Sequence, residues 1–181
     1  MEKMKKAKIL ALLSGILLVG CGPFTNAPAQ LHVKTINPSS VTVNYKTDGE
    51  GVTTTAYENP TILIEGEPGS VGATFNRAMI IYRDSNGKEI PNTTLPSLDL
   101  DVSIDVGTSN YRDPADTKKI LLGNGSWLAP IVTRHLIDYG LKKSNDPAAV
   151  SADITLAGKD YAWFPISLHI SVPIAFVGEA Q

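Results

Sequence analysis

The sequence predicts an all-β domain, an antiparallel immunoglobulin-like β-sandwich of about seven to nine strands. Three observations carry this. Apolar side chains recur at every second position through 41–45, 98–106, 152–156 and 166–176. Turn residues punctuate those runs at short intervals: Asp48-Gly49, Asn59-Pro60, Pro68-Gly69, Asn86-Gly87 and Gly158-Lys159-Asp160. Helical spacing is confined to the ambiguous stretch 134–141, where Leu136, Ile137 and Leu141 fit one face of a short helix or a turn. A period of two is the signature of a half-buried strand, and many short strands between turns build a sandwich or, as the alternative, a closed barrel.

The strands follow in order. Val41, Val43 and Tyr45 alternate with Thr42, Asn44 and Lys46, and Thr47-Asp48-Gly49-Glu50-Gly51 ends the run. Residues 52–57 are Thr-rich and more weakly strand-like. Residues 61–65 form a short run closed by Gly66 and Pro68-Gly69. Residues 75–83 lead into Asp84-Ser85-Asn86-Gly87, a tight-turn signal for a hairpin whose return begins at Lys88 and is cut by Pro91. Leu98, Leu100, Val102, Ile104 and Val106 then alternate with Asp99, Asp101, Ser103 and Asp105, giving one aliphatic face and one acidic face. Residues 107–114 are a polar loop, and 127–133 reads as a strand with Pro130 at a bulge or edge. Ala152, Ile154 and Leu156 point one way before the Gly158-Lys159-Asp160 turn. Ile166, Leu168, Ile170, Val172, Ile174 and Phe176 follow on a single face, with Pro173 marking an edge or bulge.

Ahead of the domain, Lys3, Lys5, Lys6 and Lys8 precede an apolar run over 9–19. A basic start and a short apolar stretch make a secretory signal. The run is too short for a membrane span, which needs roughly 20 residues. It ends in Leu18-Val19-Gly20-Cys21, which resembles the lipobox of bacterial lipoproteins. The resemblance implies cleavage before Cys21, diacylation of its thiol and an anchor in the bilayer. The expected organisation is a signal peptide over 1–20, a lipidated cysteine and tether over 21–39, and the sandwich over 40–181. Gly22 stands where an Asp would follow the cysteine, which resembles lipoproteins sent on to the outer membrane of Gram-negative bacteria. The tether carries Pro23, Pro28 and Pro38, and Leu31, Val33 and Ile36 are spaced to add a first strand near its end. The segments 128–133, 154–160 and 172–176, above all Gly158-Lys159-Asp160 followed by Val172-Pro173-Ile174-Ala175-Phe176, resemble uncharacterised Ig-like lipoproteins of Gram-negative bacteria. The Cys…Trp…Cys hallmark of antibody domains is absent, because Cys21 is the single cysteine of the chain.

Charge narrows the partners. Removing residues 1–20 takes four lysines and Glu2, leaving 12 basic and 17 acidic side chains over 161 residues, a net charge of −5. Nucleic acid requires a basic footprint and is excluded as a partner. No intrachain disulfide or redox pair can form in a chain with one cysteine, and the resemblance implies that this thiol is acylated, leaving no thiolate nucleophile.

Three further features bear on chemistry. His32, His135 and His169 lie far apart in sequence, and neither a zinc-protease motif nor a G-x-S-x-G elbow is present. The acidic stripe Asp99, Asp101 and Asp105 offers oxygen ligands suited to calcium. Residues two apart on a strand stand roughly 6.6 Å apart, however, so the stripe is a row more readily than a cage, and a solvated face is the expectation. Tyr161, Trp163 and Phe164 cluster at an expected hairpin tip. There they either cap the end of the sandwich or form a ligand-binding rim. The expected function is therefore a non-enzymatic envelope lipoprotein serving as an interaction or structural module, with no cofactor. The alternatives are a carbohydrate- or cell-surface-binding module using 161–164 and, lower, a hydrolase. An envelope protein or a polysaccharide is the expected partner beyond the bilayer itself.

Overall fold

The computed structural model describes residues 28–47, 53–109, 111–112, 119–142 and 149–178. Cys21 and the rest of 1–27 lie outside the described residues, so the signal, the anchor and most of the expected tether do too. Among the described residues strand accounts for 58% and helix for 7%. The expected all-β class is thus the observed one.

Among the described residues there are eleven strands: β1 (Leu31–Asn37), β2 (Val41–Thr47), β3 (Thr53–Ala56), β4 (Thr61–Gly66), β5 (Ala73–Arg83), β6 (Leu98–Val106), β7 (Tyr111–Arg112), β8 (Ile120–Leu121), β9 (Asn124–Leu128), β10 (Val150–Asp160) and β11 (Pro165–Gly178). Among the described residues one helix, α1 (Arg134–Lys142), precedes β10. A three-stranded sheet has the order β1-β4-β9, and a six-stranded sheet has the order β3-β2-β11-β10-β5-β6. β7 and β8 form a separate two-stranded ribbon. Every pair is antiparallel except β2 with β11, which run parallel. One sheet curls into a half-barrel, so the two do not simply face each other as flat layers. β-bulges add twist and bend a sheet, and the larger sheet carries register shifts at Phe75/Arg77 and at Ala157/Gly158.

The core follows the period-two faces. Val41, Val43, Phe75, Ile80, Ile104, Ile154, Val172 and Ile174 from the larger sheet are buried with Ile62 and Ile64 from the smaller one. Asp99, Asp101 and Asp105 lie on the opposite face of β6 and are exposed, as the alternation predicts.

Three features differ from the sequence expectation, and one stretch left open between turn and short helix is a helix. The folded part begins before residue 40: β1 pairs with β4 along its whole length, so the stretch expected as tether over 21–39 contributes a sheet strand. β9 covers Asn124–Leu128 rather than 127–133. Pairing with β4 draws Asn124, Gly125 and Ser126 into the ladder, although their composition suggests a turn. The strand stops where the Ala129 N–H turns to the Pro60 carbonyl and Pro130 has no N–H to offer. The ambiguous stretch is helix α1, with the Thr133 hydroxyl accepting from the Leu136 N–H at its start. The two-residue strands β7 and β8 raise the count above nine, while β3 falls in the expected weaker strand over 52–57. Pro173 sits within β11, opposite Ser151, one residue before the β2 ladder begins at Ile174. Its missing donor therefore costs no bond to β2.

Candidate functional site

The most structured exposed feature is the hairpin tip between β10 and β11. Asp160, the last residue of β10, is 4% exposed. One carboxylate oxygen accepts from the backbone N–H of Ala162 at 2.9 Å and of Phe164 at 2.8 Å. The other accepts from the N–H of Ala29 at 3.1 Å. Asp at the head of a turn commonly binds its own backbone two residues on, and here it also reaches the N–H four residues on. The Asp160 N–H donates to the Phe164 carbonyl, and the Trp163 N–H donates to the Asp160 carbonyl. Four residues of chain are thereby fixed around one buried side chain.

This cage holds Trp163 at φ 70°, the left-handed region that bulky residues rarely enter. The same residue is 78% exposed. A large apolar ring is thus held in a costly backbone conformation and turned to solvent instead of being packed. The Lys159 ammonium lies 5.6 Å from the Trp163 ring centroid, within cation–π range. Tyr161 is 49% exposed and is steadied from two sides. Its N–H donates to the Gly72 carbonyl, and its phenol donates to the Asp105 carboxylate at 2.6 Å. That hydrogen bond raises the phenol above its ordinary value of 10.0, with partial burial and the Asp105 charge adding to the effect. Gly72 permits the close fit, since a Cβ there would meet the Tyr161 ring at 2.5 Å and the Val106 carbonyl at 2.6 Å. Thr74 donates to the same Asp105 oxygen at 3.3 Å. Thr74, Lys159, Asp160, Tyr161 and Trp163 line a shallow pocket of about 370 Å³.

Of the expected tip residues, Tyr161 and Trp163 stand out into solvent while Phe164 is half-buried. The three stripe carboxylates do not converge. The Arg77 guanidinium forks onto both oxygens of Asp99 at 2.7 and 2.6 Å and holds that carboxyl below the usual range. Asp105 serves Tyr161 and Thr74, and Asp101 is exposed. Among the described residues no group of three or more His, Cys, Asp or Glu side chains is placed to hold a metal ion.

The outer face of β10 and β11 brings a serine, a histidine and an aspartate together, but not in a catalytic order. Ser171 donates directly to Asp153 at 2.7 Å, and Arg83 donates to the other Asp153 oxygen. His169 Nδ1 bonds the Thr155 hydroxyl at 3.1 Å. In an acyl-transfer triad the imidazole stands between the hydroxyl and the carboxylate. Here the carboxylate takes the hydroxyl itself.

Sequence reasoning missed Asp160 as the organiser of the tip, and missed that Asp105 and Tyr161 meet. The first had a partial signal: Gly158-Lys159-Asp160 reads as a turn, but Gly158 and Lys159 pair with Ile166 and Pro165 in the β10–β11 ladder and the turn follows them. The second had none, because 56 residues separate the pair. The geometry defines an all-β domain presenting a rigid, amphipathic aromatic tip. No family model matches the chain, and no curated protein matches it. Among the described residues no helix is long and apolar enough to cross a membrane.

Proposed function

We propose that this chain is a lipid-anchored envelope protein whose immunoglobulin-like sandwich acts as a non-enzymatic interaction module, with the β10–β11 tip as its working surface. The anchor rests on Leu18-Val19-Gly20-Cys21 behind a basic and then apolar leader. Two or more acyl chains hold a protein stably at a bilayer, where one does not. Gly22 after the cysteine favours the outer membrane. The sandwich reading is supported by strand order. β1-β4-β9 corresponds to strands A, B and E, and β11-β10-β5-β6 to G, F, C and C′. The β10–β11 tip then stands at the F–G loop, with the β4–β5 loop beside it as B–C. Variable domains recognise their ligands with those loops.

The observation that carries the functional reading is Trp163, exposed and fixed at a left-handed φ by the Asp160 cage. Rigid aromatics give contact area at low entropic cost. A second reading, a carbohydrate ligand, is favoured by the Trp163 ring standing beside the polar groups of Lys159, Tyr161 and Thr74 in one pocket. The test is retention. Trp163→Ala abolishes co-purification of an envelope partner from solubilised membranes, or retention on cell-wall polysaccharide, while leaving the circular dichroism spectrum unchanged. Retention that survives the substitution removes the tip from the function. Acylation is tested separately: Cys21→Ala releases a folded protein from the membrane fraction, and a variant that stays membrane-bound contradicts the anchor.

A further inference from the structure

We infer that the β10–β11 tip faces the bilayer that holds Cys21 and docks into its interfacial zone, with Trp163 as the inserted side chain. This deepens the functional reading above and rests on its anchor. The argument begins with the place where the chain enters the domain. The Ala29 N–H is bonded to Asp160, the residue that builds the tip. The Gln30 N–H donates to the Ser70 hydroxyl at 2.9 Å, and the Gln30 carbonyl accepts from the Glu67 N–H. The incoming chain is therefore fastened to the same end of the domain as Trp163.

Eight Cα–Cα steps lead from Cys21 to Ala29. Fully extended, they reach no more than about 29 Å, and as a flexible chain about 16 Å on average. The far ends of β5 and β10 lie ten residues from the tip, roughly 33 Å away along a strand. At its average reach a tether tied at the tip end favours the tip lying nearer the lipid than the α1 end. The domain is held close by its loops, with its strands pointing away.

The surface presented there has interfacial chemistry. Trp and Tyr concentrate at membrane–water interfaces, where an apolar ring and a polar edge each find their medium. Trp163 and Tyr161 are both exposed, and Ala162 and Pro165 beside them are exposed as well. Lys159 lies against the Trp163 ring and can place its ammonium at the phosphate level while its stem covers apolar surface. The net charge of −5 argues against binding through bulk attraction to anionic lipid. Asp105 and Glu67, exposed at the same end, point the same way. The fitting surface is a zwitterionic phospholipid, and the fitting mode is insertion of a few side chains.

The test uses the full-length protein purified from membranes and reconstituted into phosphatidylcholine vesicles. Mass spectrometry first reports acylation of Cys21. Tryptophan emission is then compared between the parent protein and Trp163→Phe, which subtracts the half-buried Trp127, and again in vesicles whose lipids carry bromine on the upper acyl chain. The Trp163 component shifts to shorter wavelength in vesicles and is quenched by the brominated lipid. An acylated Cys21 with Trp163 emission unshifted and unquenched overturns the docking and leaves the anchor standing. An unmodified Cys21 overturns both. Trp163-dependent retention on polysaccharide, together with unquenched emission, assigns the tip to a sugar instead and overturns the inference.

Discussion

At one end of the domain a buried carboxylate shapes the chain, and at the other an aromatic ring does. The tip end is knit by polar contacts. Asp160 collects three backbone N–H groups, the Ser70 hydroxyl accepts from Gln30, the Thr108 hydroxyl accepts from Gly72, and the Ser109 hydroxyl accepts from Gly123. The far end is built by packing. Phe176 of β11 presses against Gly140 of α1, where any Cβ would fall inside the ring. Tyr82 is buried there, its phenol donating to the Ile131 carbonyl at 2.7 Å. The difference has a functional meaning. Apolar packing keeps aromatic rings at least half covered: Tyr57, beside α1, is 44% exposed against 78% for Trp163. A hydrogen-bonded cage needs no ring beneath it and can hold one outward.

The largest effect is expected at the cage. Asp160→Ala leaves three N–H groups without their acceptor, at about 1–3 kcal/mol for each that stays buried. The expected loss is about 3 kcal/mol, read by denaturant unfolding. Hydrogen exchange at Ala162 and Phe164 should become fast while the strands keep their protection. If stability falls by less than about 1 kcal/mol, the loop is held by something other than Asp160.

Alkaline pH probes the opposite end. Burial, partly offset by the Thr133 hydroxyl, pushes the Tyr82 phenol up to about 12. The neutral phenol is therefore favoured in the folded state. Its contribution is complete below pH 10, where the unfolded phenol is also neutral, and is lost as pH rises from 10 through 12. A shift of this size corresponds to a loss of about 3 kcal/mol once the pH has passed 12. Unfolding curves at pH 9, 10.5 and 11.5 read this loss, and Tyr82→Phe should flatten it. The raised phenol of Tyr161 is exposed, so it titrates with little consequence for the fold.

A smaller effect follows from Gly140→Ala. The added methyl must displace the Phe176 ring, and overpacking of this kind costs about 1–3 kcal/mol. Tip-dependent binding should be untouched, which separates the two ends experimentally.

The smallest effect is the most telling. Trp163→Gly places at φ 70° a residue that tolerates it. Stability should stay level or rise by up to about 1 kcal/mol, or about 2–4 °C in Tm. Binding at the tip should vanish. A substitution that spares the fold while removing the contact marks a side chain kept for its surface. A clear loss of stability would show instead that Trp163 packs.

The strands with one committed face were legible because burial imposes a period of two on their residues. β6, with Ile104 and Val106 buried against exposed Asp99, Asp101 and Asp105, is the plainest instance. β11 was legible for the same reason, but its parallel pairing with β2 was not. No local signal encodes a partner more than a hundred residues away. β1 was half-legible: Leu31, Val33 and Ile36 carry a strand pattern, yet flanking prolines and polar residues gave it the look of a linker. At the site, the aromatic cluster could be read directly, whereas its supports could not. Asp105 looked like part of an acidic row, and only the sheet places it under the Tyr161 phenol.

Hydrogen exchange of the reconstituted protein, compared with a soluble Cys21→Ala form, tests the orientation most directly. Docking predicts added protection confined to residues 159–164 and the adjoining 67–72 loop, with α1 and residues 57–60 unchanged. Protection appearing on α1 and residues 57–60 while the tip exchanges as in the soluble form would mean that the domain faces the bilayer with its other end.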